Sequence, residues 1–136
     1  MNMRALTQQR RFLKMIVFAA LLVFATAFIA GCGYDEYVTT VREGSFNAYP
    51  KTPIGDAFDD YFKDGEWKSF KSKDGDRVVE FNGVAEGRKQ DLKVKMQFIV
   101  YNDDSFELHY VSWNGKSVGP LLYMGMIDDI MEEYNK

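Results

Sequence analysis

The sequence predicts an α+β fold: a two-layer sandwich in which a four-stranded antiparallel meander has one helix before it and one after it. Three observations lead there. Apolar residues recur with a helical period over residues 54–62, they alternate with a period of two between residues 66 and 113, and the helical period returns near the C-terminus.

The first helix opens at Thr52-Pro53, with Thr52 as the expected N-cap and Pro53 in the first helical position. Ile54, Ala57, Phe58, Tyr61 and Phe62 then fall on one face, Asp56, Asp59 and Asp60 point outward, and Gly65 is the expected stop. Beyond it, with glycine turns at Asp74-Gly75, Glu86-Gly87 and Asn114-Gly115, strands are expected over 66–72, 77–85, 92–101 and 105–113. In the third strand Leu92, Val94, Met96, Phe98 and Val100 share a face opposite Lys93, Lys95 and Gln97; in the fourth, Phe106, Leu108 and Tyr110 oppose Glu107 and His109. Short connections make the sheet antiparallel, with one apolar and one wet face. Gly119-Pro120 ends the strands, and Leu122, Ile127, Ile130, Met131 and Tyr134 outline the last helix, with Asp128, Asp129, Glu132 and Glu133 outside.

The N-terminal third has a different character. Residues 1–14 contain Arg4, Arg10, Arg11 and Lys14 and no acid, and the next 17 residues, Met15 to Gly31, are uncharged. A basic head, an apolar core and small residues before a cut are the order of a signal peptide. The run is at the short limit for a membrane-spanning helix and lacks a basic stop-transfer flank, which favours a cleaved leader. Ile29-Ala30-Gly31-Cys32 resembles the bacterial lipobox. That resemblance implies cleavage between Gly31 and Cys32, a diacylglyceryl group on the Cys32 sulfur and a palmitate-type acyl chain on the new amino terminus. Two or three chains at ~0.8 kcal/mol per buried methylene make such attachment stable. The competing reading of a lone exported cysteine is a free thiol or half of an intermolecular disulfide, which leaves the adjacent leader unexplained. Arg10-Arg11-Phe12 resembles a twin-arginine signal without its spacer, so the general secretory route is preferred. Gly33 follows the cysteine where an inner-membrane-retained lipoprotein carries aspartate; in a Gram-negative cell this points to the outer membrane.

The expected organisation is therefore a cleaved signal over 1–31, a lipidated N-terminus and flexible spacer over 32–50, with a short ordered piece near Tyr37 to Arg42, and a single α+β domain over 51–136. Residues 1–31 hold four of the 17 Lys and Arg and none of the 20 Asp and Glu, so the remainder carries a net charge of about −7. Such an acidic domain is unsuited to nucleic acid or to docking by charge on anionic headgroups. Without a second cysteine it must hold together by its core, for which seven of the 11 Phe, all eight Tyr and both Trp provide material.

Catalytic chemistry finds little foothold. His109 is the sole histidine and Cys32 is taken by the lipid, so neither a histidine triad nor a zinc set can be assembled, and no cofactor or metal is expected beyond the covalent lipid. Lys73-Asp74-Gly75-Asp76 fails as a calcium loop, because aligning Gly75 with the loop glycine puts Phe70 where the first aspartate belongs. Asp59-Asp60, Asp103-Asp104 and Asp128-Asp129 are neighbours whose carboxylates diverge. What remains is aromatic surface: strand alternation places Ile99, Tyr101, Val111 and Trp113 on the wet face beside Lys93, Lys95 and His109, a candidate partner-binding patch or a cover for loops.

Tyr49 to Phe62, Trp67-Lys68-Ser69-Phe70, Val79 to Gly83 and Gln97 to Val100 resemble a domain of uncharacterised bacterial lipoproteins and membrane-tethered zinc-ribbon proteins. The likeness covers about residues 38–113, lacks the zinc-ribbon cysteines, implies an extracytoplasmic accessory module and transfers no catalytic residue. The layout alone is similar to outer-membrane assembly lipoproteins and β-lactamase inhibitor proteins. The resulting expectation is a membrane-anchored, non-enzymatic envelope lipoprotein that binds another envelope protein. The alternatives are a hydrolase inhibitor acting through the loop 101–105, and a small-ligand or metal-binding protein using scattered carboxylates.

Overall fold

A computed structural model of the chain describes residues 33–136, so the expected leader, Gly31 and Cys32 lie outside the described residues. Residues from Tyr34 to Lys136 form one compact unit. Its elements are α1 (Glu36–Glu43), α2 (Ile54–Tyr61), β1 (Lys63–Lys71), β2 (Arg77–Ala85), β3 (Leu92–Val100), β4 (Phe106–Trp113), β5 (Lys116–Ser117) and α3 (Pro120–Tyr134). The α+β class and antiparallel meander agree with the sequence. The count differs: the sheet has five strands in the order β1-β2-β3-β4-β5, and two helices precede it.

The additional helix, α1, lies within the expected spacer, over the short ordered piece expected near Tyr37 to Arg42. Asp35 starts it, its Oδ1 accepting the Val38 amide at 2.9 Å. Val38 and Val41, three residues apart, both enter the core, so this stretch is part of the fold. Gly44 ends α1 where a side chain would collide with the Phe106 ring.

α2 starts one residue later than its sequence signal. Pro53 occupies the cap position with no side-chain bond to the helix, and the Thr52 hydroxyl is diverted to the end of α3, where the Asn135 amide donates to it at 3.0 Å. Ile54, Ala57 and Phe58 are buried as the period requires. The helix stops before Gly65, because Phe62 turns extended to pack its ring 5.0 Å from Phe81 and 5.6 Å from Phe58. Gly65 instead sits in β1, beside an irregularity between Lys63 and Glu66 at which Asp64 has φ 53°.

Turn chemistry sets the hairpins. Asn114 and Gly115 both have positive φ, as a two-residue turn joining Trp113 to Lys116 demands, and Asn114 Oδ1 also accepts the Lys93 amide at 2.9 Å. Paired residues stack in rows across the sheet: Trp67, Phe81, Met96 and Val111 form one, Ser69, Val79, Phe98 and Leu108 the next. The apolar members of these rows meet Val38, Val41, Ile54, Phe58, Ile127, Ile130 and Met131 of the helices in one core. Trp67 joins it from edge strand β1, 4.8 Å from Phe81 and 5.6 Å from Phe58 by ring centroids.

Candidate functional site

The expected patch divides between the two faces of the sheet. β4 pairs Leu108 with Phe98 but Tyr110 with Gln97, so His109 is an extra residue on β4. Side chains beyond a bulge exchange faces. Ile99 therefore remains on the outer face, paired with Val78 and Glu107, and Tyr101 stays exposed just beyond β3. Val111 and Trp113 move to the core face opposite Met96 and Val94; Val111 is 1% exposed and Trp113 packs against the core. The four residues thus do not form one surface, and the alternation-based assignment of Val111 and Trp113 is corrected by the bulge. His109 is exposed, at the bulge itself.

Tyr101 is tied down: its hydroxyl donates to Glu107 Oε1 at 2.5 Å, and that bond, reinforced by burial and the Glu107 charge, pushes its pKa up. The turn after it is tight. The Tyr101 amide bonds to the Ser105 carbonyl at 2.8 Å, and Asp104 has φ 64°.

The outer face has a polar centre. Glu80, 5% exposed, accepts Asn82 Nδ2 at 2.8 Å and Gln97 Nε2 at 2.7 Å, and Lys68 Nζ lies 3.4 Å away. Burial pushes its carboxyl up, but the two amide hydrogen bonds and the charges of Lys95 and Lys68 outweigh it, leaving the pKa below the usual carboxylate range. A carboxylate so satisfied and held ionised is a poor proton donor; its role is to lock neighbouring strands. Among the described residues no group of three or more His, Cys, Asp or Glu side chains is arranged to hold a metal ion, and no helix is long and apolar enough to cross a membrane.

Two of the concavities among the described residues bear on binding. An open cleft of about 720 Å³ lies where α1 begins, lined by Glu36, Lys71, Asp76, Arg77, Tyr101 and Asp104, with the Arg77 guanidinium 4.2 Å from the Tyr37 ring. Its acids and bases alternate, so it concentrates neither sign of charge. A smaller apolar groove, about 180 Å³, runs between the 46–49 loop, β4 and α3, lined by Phe46, Tyr49, Leu108, Tyr123, Met124 and Ile127. Asp128 closes its rim, accepting the Tyr49 hydroxyl at 2.8 Å; that bond, with burial and nearby acids, pushes the Tyr49 pKa up to about 12.

Beside this groove α3 presents its least expected feature. Ile127, Ile130 and Met131 are buried, whereas Leu121 is 89% exposed, Met124 61% and Leu122 56%. The signal was legible, because Leu121-Leu122-Tyr123-Met124 is an unbroken apolar run at the start of a helix and such a run cannot fit on one helical face. The helical period puts Leu122 on the core side and assigns neither Leu121 nor Met124. Large apolar side chains grouped in water next to a preformed groove suit the capture of another apolar surface.

No family model, curated protein or solved structure matches this chain.

Proposed function

We propose that the chain is a lipid-anchored lipoprotein of the cell envelope whose folded domain is a non-catalytic binding module for a second envelope protein. The carrying observation is the start of α3, where Leu121, Leu122 and Met124 stand in solvent beside the groove of Phe46, Leu108 and Tyr123. Apolar surface of this kind gains by association, at roughly 25 cal/mol per Å² removed from water. The neighbouring Asp128, Asp129, Glu132 and Glu133 favour a partner with apolar side chains for the groove and basic residues around them. The basic head, apolar core and Ile29-Ala30-Gly31-Cys32 support the anchor.

The experiment is crosslinking in intact cells with the tagged full chain, alongside Leu121→Ser/Leu122→Ser and Cys32→Ser variants. The reading expects one dominant captured protein, its loss in the double variant, and loss of acyl labelling and membrane fractionation in Cys32→Ser. Capture that survives the double variant would move the binding surface elsewhere. Unchanged acyl labelling in Cys32→Ser would remove the anchor. The braced turn at Tyr101 to Ser105 favours inhibition of a hydrolase as a second reading, and failure to inhibit a panel of envelope hydrolases would discard it.

A further inference from the structure

The fold begins almost at the proposed anchor. Asp35 is held at both carboxylate oxygens, one accepting the Val38 amide at 2.9 Å and the other the Ser69 hydroxyl of β1. Tyr34 lies against the domain, its ring 4.7 Å from the Arg42 guanidinium, and Arg42 is in turn gripped by Asp59. Gly33 alone separates Tyr34 from Cys32.

Resting on the lipid-anchor reading of Cys32, we infer that the domain rides directly on the bilayer, with Tyr34, the first turn of α1 and the adjoining end of β1 at the headgroups. The argument is one of length. Two Cα steps span at most about 7 Å, whereas a domain of about 100 residues has a radius of gyration of about 13 Å. A tether shorter than the radius cannot carry the attached surface away from the membrane, so the domain cannot present a different face.

The chemistry of this surface suits that position. Tyr34 is 53% exposed, and tyrosine rings settle at the headgroup level, apolar body inward and hydroxyl in water. Lys71 and Arg77 lie at the same end of the molecule, but Glu36, Asp76 and Asp104 line the same cleft and offset them, so the short tether and the Tyr34 ring, not charge, set this contact. A net charge of about −7 on a long tether would drift from an anionic bilayer; about 7 Å of tether keeps Tyr34 within a Debye length of about 8 Å whatever the charge of the rest.

The partner surface gains a defined place. Asp35 is fastened to β1 at one edge of the sheet, and α3 follows β5 at the other. Four strand spacings separate the edges, about 19 Å at about 4.8 Å each. The apolar start of α3 is thus held clear of the attachment point.

The test uses the acylated chain in vesicles of phosphatidylethanolamine and phosphatidylglycerol. Spin labels are placed at Tyr34→Cys, at Glu36→Cys as a second reporter, and at Lys89→Cys in the β2–β3 loop as a distant control. Mass spectrometry of the N-terminal peptide establishes the diacylglyceryl group independently, and a thioether at Cys32 confines the label to the new cysteine. The expected result is a higher ratio of oxygen to nickel-chelate accessibility at 34 and 36 than at 89. Insertion of about ten Gly and Ser residues after Gly33, reaching roughly 18 Å, should lower that ratio to the level at 89. Acylated protein with equal ratios at all three positions overturns the contact and leaves the anchor standing. A missing acyl mass overturns the anchor and the contact with it.

Discussion

Arg42 of α1 grips Asp59 of α2 with both terminal nitrogens, Nη1 to Oδ1 at 3.0 Å and Nη2 to Oδ2 at 2.6 Å, while its guanidinium lies 5.4 Å from the Trp67 ring. The arginine is mostly covered and the aspartate half-exposed. Losing Arg42 therefore costs packing and a two-pronged bond, whereas losing Asp59 leaves a cation that water can still reach. Arg42→Ala should destabilise by roughly 1–3 kcal/mol and Asp59→Ala by about 1 kcal/mol or less. Arg42→Lys should fall between them, since an ammonium cannot reproduce the fork. Urea unfolding of the three variants ranks them; equal costs would mean that the ion pair carries the whole effect.

Gly55 lies under the same arginine. A Cβ there would stand 2.8 Å from Arg42 Cβ and 2.9 Å from Cζ, closer than packed atoms allow. Helix propensity alone would make Gly55→Ala stabilising by up to about 1 kcal/mol. The expected outcome is the reverse, destabilisation by roughly 1–3 kcal/mol as α1 and α2 separate. Combining it with Arg42→Ala should shrink the penalty without abolishing it, because alanine retains the Cβ. A double-mutant cycle measures that coupling, and additive costs would refute the steric account.

The bulge at His109 makes the four residues of the dispersed patch behave differently. Val111→Ala should cost roughly 1.5–3 kcal/mol and Trp113→Ala about 3 kcal/mol, since both face the core. Tyr101→Ala, which loses an exposed ring and one bond to Glu107, should stay within about 1 kcal/mol of the parent. Thermal melts followed by near-ultraviolet circular dichroism distinguish the two groups. A Val111→Ala variant as stable as the parent would return that side chain to the outer face.

The same strand shows what a sequence makes legible. Hairpins with glycine turns, the core face of β3 and the burial of Ile54, Ala57 and Phe58 all follow from local rules, and the structure has them. The bulge does not follow from alternation, which counts residues without seeing the partner strand; its trace is the phase slip from Phe106 and Leu108 to Val111 and Trp113. α1 is legible only as a short ordered piece near Tyr37 to Arg42, for another reason. It has only eight residues and sits before a loop rich in turn formers, so its stability comes from burying Val38 and Val41 more than from propensity. Thr52 and Gly65 carried capping signals that tertiary contacts overrode. The exposed apolar start of α3 was visible as composition, but which of its side chains would be left in water depended on where the helix met the core.

Acid should expose the role of Glu80. Its folded-state pKa lies below the ordinary value, so its contribution to stability is fully present above about pH 4.5 and is lost as the pH falls through the lowered value. Asp35 is shifted in the same direction: burial raises it, but the Ser69, Val38 and Tyr37 bonds and the Arg77 charge together outweigh that. Glu80→Gln should reduce stability near neutrality and flatten the acid limb below about pH 4.5, leaving Asp35 to account for part of the remaining slope. Unfolding free energy measured between pH 7 and pH 3 reads both effects; an unchanged acid limb would mean that Glu80 is not held ionised by Asn82 and Gln97.

α3 should show opposite sensitivities within one helix. Leu121 and Leu122 project into water, so replacing both with serine removes no core contact and should leave the melting temperature within a few degrees of the parent. Ile130, fully buried among the core residues, should lose roughly 2–5 kcal/mol on truncation to alanine. Calorimetry on the parent, the double variant and Ile130→Ala separates surface from core. Because the serines relieve only solvent-exposed apolar area, the double variant should also self-associate less in sedimentation. If it melted like Ile130→Ala, Leu121 and Leu122 would belong to the core, and the binding surface assigned to them would be lost.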